Sequence, residues 1–238
     1  MHALIKKLLT SVMIILLGTG PCLADESAPL LNDRDNPIRI YVIFHDDIPE
    51  SQRKAIYGKH IWPFTEEFER ITGRKANVVF DENIAPYSNF YYKGDDHQET
   101  ILKWQNLAIE YRLKRERDRE FQRSRHDRVI LITNDVVNKS ANGVAISQPG
   151  HSMIGTIKYR QTIGHELGHS FDAGHSDGAV HYNGWWCETF MYPALQFRSS
   201  CLVFSERNRK RIKAYVDSLY DGRPIVHQFP EEPTIFLD

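Results

Sequence analysis

Four side chains in one short stretch have the types and the spacing of a metal centre with a base beside it. The segment Gln161-Thr-Ile-Gly-His-Glu-Leu-Gly-His-Ser-Phe-Asp-Ala-Gly-His175 carries His165, Glu166, His169 and His175. On a helix, positions i and i+4 share a face, so His165 and His169 point the same way and can hold one ion. Glu166 is rotated by about 100° but stays beside that ion, where it can take a proton from a bound water. His175 cannot join them if the helix continues, because six further residues carry it about 9 Å along the axis. A zinc–nitrogen bond spans only about 2.0–2.1 Å. The chain must therefore leave the helix after His169 and turn back. Such a turn needs positive φ, which Gly174 adopts freely and Asp172 at modest cost. Three neutral imidazoles leave one position of a tetrahedral zinc open to water, the mark of a catalytic site. By composition, this spacing arises by chance roughly once in a thousand such chains. The remaining histidines considered (His45, His60, His97, His151 and His181) are isolated and read as surface or satisfied core residues.

The elements that must position these residues follow from periodicity. Ile38 to Phe44 is β-branched and aromatic and reads as a strand. Ser51 to Thr72 reads as a helix, with Ile61, Phe64, Phe68 and Ile71 as its apolar stripe, Gly73 at its end and Pro63 kinking or restarting it. Asn77 to Phe80 is a short second strand. Residues 81–98 form a loop whose Asp95-Asp96 pair follows no calcium-loop pattern and reads as solvated. Thr100 to about Arg125 is a long helix that buries Ile101, Trp104, Ala108 and Tyr111. Its alternating charges from Lys114 to Glu120 read as a solvated face laced with ion pairs.

Val129 to Thr133 is a nearly continuous apolar run, as in a strand covered on both faces. Val144 to Ser147 and Met153 to Tyr159 read as two further strands joined through Pro149-Gly150. Residues 176–201 read as loop. Ser205 can cap a last helix, with Ile212, Tyr215, Val216 and Leu219 facing inward and Gly222 ending it. Strands alternating with helices predict an α/β (α+β) fold. The expected sheet is twisted, mostly parallel and five-stranded, with one antiparallel edge strand. Two long helices, the helix of the histidines and a C-terminal helix complete it.

Residues 1–24 read as a signal peptide. Lys6 and Lys7 precede the apolar run Leu8 to Leu17, which is shorter than the ~20 residues needed to span a bilayer, and Cys22-Leu23-Ala24 is an acceptable cleavage site. No later segment is apolar enough to cross a membrane. Residues 25–36 read as a short leader, 37–222 as one catalytic domain and 223–238 as a C-terminal tail. Without Lys6 and Lys7 the formal charge is about −3, which argues against a general affinity for nucleic acid. In an exported chain, Cys187 and Cys201 read as one disulfide closing a short loop, the alternative being two buried thiols.

With these residues in hand, the chain resembles the metzincins, a clan of zinc endopeptidases. Their signature, His-Glu-x-x-His-x-x-Gly-x-x-His followed by a methionine turn, is matched by His165-Glu166-Leu-Gly-His169-Ser-Phe-Asp172-Ala-Gly-His175 and by Phe190-Met191-Tyr192-Pro193. Asp172 departs from the family's glycine. Ser176 and Met191-Tyr192-Pro193 look like the matrixin branch, whereas the cysteines and Phe204-Ser205 look like the adamalysin branch, so no branch is assigned.

The resemblance implies a secreted or periplasmic endopeptidase with one catalytic Zn2+ held by His165, His169 and His175. Glu166 would be its general base and a protein or peptide its substrate. It further implies that Met191 forms an apolar floor under the ligands, and that Val144, Ala145, Ile146 and Ser147 form the sheet edge that pairs with substrate. Trp185 and Trp186 either line the cleft or pack as ordinary aromatics. Two other readings stay open. A zinc peptidase of another clan would use Glu188 or Asp177 as a ligand, and a binding or toxin-like module would keep zinc only for shape.

Overall fold

A computed structural model of the protein describes residues 37–118, 126–146, 151–192, 198–220 and 235–237. The expected signal peptide and leader lie outside the described residues, as does all of the tail except 235–237.

The strand runs become strands because alternate residues feed two separate cores. In β1 (Ile38–Phe44), Ile38, Ile40, Val42 and Phe44 enter one cluster, while Tyr41 and Ile43 enter the other. In β3 (Arg128–Thr133) every residue is buried, with Ile130 and Ile132 on the first side and Val129 and Leu131 on the second. A strand covered on both faces has no polar side to show, which explains its continuous apolar run.

With β2 (Ala76–Asp81), β4 (Gly143–Ile146), β5 (Ser152–Thr156) and β9 (Ile235–Leu237) these strands form one sheet, in the order β2-β1-β3-β5-β4-β9. The pairs β1–β2, β1–β3 and β3–β5 are parallel, and β4 is antiparallel to β5. This is the expected mixed fold with a mostly parallel sheet. Beyond it, β9 adds a sixth strand from the expected tail, antiparallel to β4.

The helices cover the two faces. On one side lie α2 (Trp62–Thr72), α4 (Thr162–Ser170) and α5 (Glu206–Tyr220), which supply Phe64, Phe68, Ile163, Leu167, Ile212 and Val216. On the other lies α3 (His97–Arg117), which supplies Ile101, Trp104, Ala108 and Tyr111 as expected. Its start is earlier than the expected Thr100. The Asp96 side chain accepts from the Gln98 and Glu99 backbone N–H groups at 2.8 and 3.2 Å, a cap that begins the helix at His97.

The expected break near Pro63 is also present. α1 (Glu50–Ile56) passes through one π-helical turn, Tyr57–Ile61, before α2 restarts with Pro63 in its first turn, where a missing N–H costs little. Residues 176–201, expected as loop, contain β6 (Val180–Tyr182), β7 (Trp186–Glu188) and β8 (Ser199–Ser200) in a small second sheet. Strands of two or three residues are too short to carry a period. Cys187 and Cys201 form the expected disulfide.

Two buried charges tie the helices to this frame. Glu67 on α2 accepts from the Arg209 Nε at 2.8 Å and from the Phe204 backbone N–H at 3.2 Å, so it joins α2 to the start of α5. Arg128, at the start of β3, donates through Nη2 to the Ser170 carbonyl at 2.9 Å and lies over the Phe171 ring. It thereby satisfies a carbonyl at the C-terminus of α4, where a cation is favoured. Arg128 Nη1 also donates to His151 Nδ1 at 2.8 Å. Burial first, then the charges of Arg128, Arg112 and His126, push the His151 imidazole down to about 2. It is therefore neutral in the folded protein and acts as an acceptor. Among the described residues, no helix is long and apolar enough to cross a membrane.

The depressed His151 pKa has a defined linkage. Below about pH 6.5 the unfolded chain takes up a proton at His151 that the folded chain refuses. Its stabilising contribution is complete above that pH and falls as the pH drops, by up to ~1.4 kcal/mol per unit. His151→Gln retains an acceptor for Arg128 but cannot titrate. Its unfolding free energy in urea should therefore decline less steeply from pH 7.5 to 4.5 than that of the parent. Equal slopes would contradict this account.

Candidate metal centre

All nine residues of α4 are buried. Its His165 and His169 lie one turn apart, and their Nε2 atoms are 2.9 Å from each other. His175 opens a short 3₁₀ turn, His175–Asp177, and its Nε2 lies 2.9 Å from that of His165 and 3.1 Å from that of His169. The three sequence-predicted ligands thus converge on one point. Among the described residues they are the group of histidines, cysteines and carboxylates that could hold a metal ion.

The outer nitrogens decide what can sit at that point. His165 Nδ1 donates to the Phe190 carbonyl, and His169 Nδ1 donates to the Ala173 carbonyl at 3.0 Å. A carbonyl only accepts, so both protons are on Nδ1 and both Nε2 atoms present lone pairs to each other. One shared proton could bridge a single pair of nitrogens, whereas a metal ion serves all three. Nitrogens bound to a tetrahedral ion at ~2.0–2.1 Å stand about 3.3 Å apart, close to the triangle seen here. The donor set therefore fits a metal ion, with carbonyl partners that fix the tautomers.

The return of His175 depends on how α4 ends. Ala173 N–H donates to the Gly168 carbonyl at 3.0 Å and Asp172 N–H to the His169 carbonyl at 3.1 Å, the paired bonds of a Schellman terminus. Asp172 is the left-handed residue, with φ of 71°. Arg211 on α5 secures it, donating through Nε to the Asp172 carbonyl at 2.7 Å and through Nη2 to Oδ1 at 3.0 Å. The expectation for Gly174 is corrected. Its φ is −131°, an extended conformation, because the reversal is complete at Asp172. Gly174 is instead clamped by buried Asn208, which accepts from its N–H at 2.8 Å and donates to its carbonyl at 3.1 Å. Sequence reasoning missed Arg211 and Asn208. The available signal was Asn208, a polar residue four positions before inward-facing Ile212.

Met191 packs against α4 at Gly168. A Cβ built on Gly168 would stand 2.9 Å from Met191 Sδ and 2.7 Å from the Phe204 ring, and one on Gly164 would enter the Phe190 ring. Glycines at 164 and 168 let the Phe190-Met191 segment press against the helix, which delivers the Phe190 carbonyl to His165. Pro193 lies outside the described residues.

Glu166 is only 1% exposed, and it faces β4. A Cβ on Gly143 would fall 2.5 Å from Glu166 Oε1, so the carboxylate needs a glycine there. Gly143 is a third residue missed by sequence reasoning. Of the expected substrate edge, Val144, Ala145 and Ile146 are in β4, and Ser147 lies outside the described residues.

The alternative ligands are engaged elsewhere. Glu188 accepts from Arg198 Nη1 at 3.0 Å, and the Asp177 carboxylate lies 3.6 Å from Arg211. Trp185 and Trp186 are 65% and 54% exposed on the β6–β7 hairpin, so they do not serve as core packing. His45 donates through Nε2 to the Phe90 carbonyl at 3.0 Å, in keeping with an isolated, satisfied role.

No family model and no curated protein matches the chain. Among solved structures it is similar to one described as a chaperone–substrate complex, with 13% identity and a TM-score of 0.47. That match covers 79% of this chain and 36% of the other, so the chain spans about a third of that protein's length. It is also similar to archaemetzincin from Methanopyrus kandleri, with 16% identity, a TM-score of 0.43, and coverage of 76% and 96%.

The three histidines are positioned to hold a metal ion. The protein should bind one equivalent of a divalent transition-metal ion. His165→Ala, His169→Ala or His175→Ala should each weaken binding by roughly 100-fold or more, since even outer partners of ligands contribute about 10–100-fold. Glu188→Gln and Asp177→Asn should retain the parent affinity within a few-fold in a competitive chelator titration. Loss of the ion in either carboxylate variant, with His175→Ala unaffected, would replace the assignment.

Proposed function

We propose that the protein is a secreted or periplasmic zinc-dependent endopeptidase of the metzincin type. The observation that carries this reading is the convergence of three Nδ1-protonated or partly exposed imidazoles beside a buried glutamate. His165 and His169 are buried, whereas His175 is partly exposed, which leaves the third ligand's side open to solvent and substrate. Export is supported by the N-terminal sequence and by the Cys187–Cys201 disulfide, a bond that persists in oxidising compartments.

His165, His169 and His175 would hold zinc, which when bound supplies Lewis-acid polarisation of a peptide carbonyl and lowers the pKa of a water toward ~7. Glu166 does the proton work. Its carboxylate takes the proton released by the attacking water and delivers it to the departing amine nitrogen. Its carboxylate lies against Gly143 at the start of β4, which supports this role. An extended peptide laid along β4 would present its carbonyl at the Gly143 end, next to Glu166. A site that kept zinc for shape alone would have no use for a carboxylate buried at that point.

The experiment separates metal binding from turnover. Glu166→Gln should retain one zinc and lose about 10²–10⁴-fold in kcat on a quenched peptide library. Gly143→Ala should also retain zinc and lose roughly 10-fold in kcat, because its methyl displaces the Glu166 carboxylate from its seat. Undiminished cleavage by zinc-loaded Glu166→Gln would refute the assignment of the base. No cleavage by zinc-loaded parent across the library would favour the binding-module reading.

A further inference from the structure

The expected substrate edge already has a partner. β9 pairs with β4 in antiparallel register, Ile235 opposite Ile146, Phe236 opposite Ala145 and Leu237 opposite Val144. The other side of β4 is taken by β5, with Val144 opposite Ile154 and Ala145 opposite Met153. A strand has two hydrogen-bonding edges, so β9 and an incoming extended peptide compete for the same backbone groups of β4.

Direction strengthens the point. In an antiparallel pair, ascending numbers in β9 run toward descending numbers in β4. The chain in β9 therefore advances toward Gly143, whose Cα faces the Glu166 carboxylate. This is the path along which a peptide would carry its carbonyl to the base. The pairing is also short. β9 contributes three paired residues, against six for β2 on β1, so it makes few ladder bonds and can be displaced without unfolding the sheet.

We propose that Ile235–Leu237 is an intramolecular occupant of the peptide-binding edge, which keeps the cleft closed until an extended peptide displaces it. This rests on the peptidase reading for the identity of the cleft. The competing ligand is an extended peptide that binds antiparallel to β4. The chain's own Thr-Ile-Phe-Leu sequence serves as a probe of that chemistry.

The test breaks the β9 ladder in the full chain. Successive residues of a strand direct their N–H groups to opposite sides, so one of Phe236 and Leu237 donates to β4. The double variant Phe236→Pro/Leu237→Pro removes that donor whichever it is. Binding is read in the Glu166→Gln background with a fluorescent peptide of residues 231–238. The proline pair should bind it at least 10-fold more tightly than the same protein with native β9. Hydrogen exchange should be faster at those of Val144–Ile146 whose N–H faces β9, and should slow again when the peptide is added. Equal affinity in the two proteins, or exchange unaffected by the prolines, would overturn the proposal.

Turnover with Glu166 restored distinguishes the two readings. A KM lowered about 10-fold at unchanged kcat supports both. Tighter peptide binding without hydrolysis in zinc-loaded protein retains the occupant and removes the peptidase. Hydrolysis with the same KM with and without the prolines retains the peptidase and removes the occupant.

Discussion

One change of direction, at Asp172, is the constraint on which the rest of the site depends. A continuous helix cannot bring a third imidazole to His165 and His169, so the chain must stop, reverse and come back within five residues. A left-handed conformation at a residue with a Cβ costs on the order of 1 kcal/mol. Two Arg211 bonds offset that cost, one to the Asp172 carbonyl and one to its carboxylate. Glycine would adopt the turn more easily but would have no carboxylate for Arg211. The departure from the glycine of the resembled signature is thus compensated from α5, and Asn208 on the same helix then aims the strand-like Gly174 step toward the site.

The same logic explains why α4 is buried on all sides. Its imidazoles need fixed tautomers, and each fixed tautomer needs a carbonyl at hydrogen-bonding distance. Phe190 supplies one from a neighbouring segment, and Ala173 supplies the other from the turn itself. Phe190 reaches the helix only because positions 164 and 168 lack side chains. At the far end, Arg128 takes up the Ser170 carbonyl, so the terminus of a helix that cannot reach solvent is still satisfied. The candidate ligands His165 and His169 are held by backbone carbonyls, and those carbonyls are held by packing. This chain of support leaves little freedom for the imidazoles to drift apart.

On the opposite side of Glu166 stands the sheet. β4 runs antiparallel to its neighbours, and Gly143 at its start lies against the Glu166 carboxylate. The Glu166 carboxylate is therefore coupled to a strand near one end of the sheet. In this protein β9 already pairs with it. The candidate centre and the sheet edge are parts of one device, since the same glycine that seats Glu166 marks the end of the ladder.

The local properties of the protein were readable in its residues. Period and apolar content identify β1, β3 and α3, and the i, i+4 spacing of His165 and His169 places both on one helical face before any fold is known. The spacing to His175 requires a reversal, and a disulfide between Cys187 and Cys201 was one of two readings of the cysteines outside the expected signal. The start of α3 was missed because a single Asp96 side chain, without period, decides it. β6 to β8 were missed because two or three residues carry no pattern. What remained for the tertiary structure were pairings between residues far apart in the chain. Gly143 with Glu166, Asn208 with Gly174, Arg211 with Asp172 and β9 with β4 each join segments whose separation no local rule can see. A single buried contact leaves no repeating trace in sequence, so these partners become visible only when the folded sheet and helices bring them together.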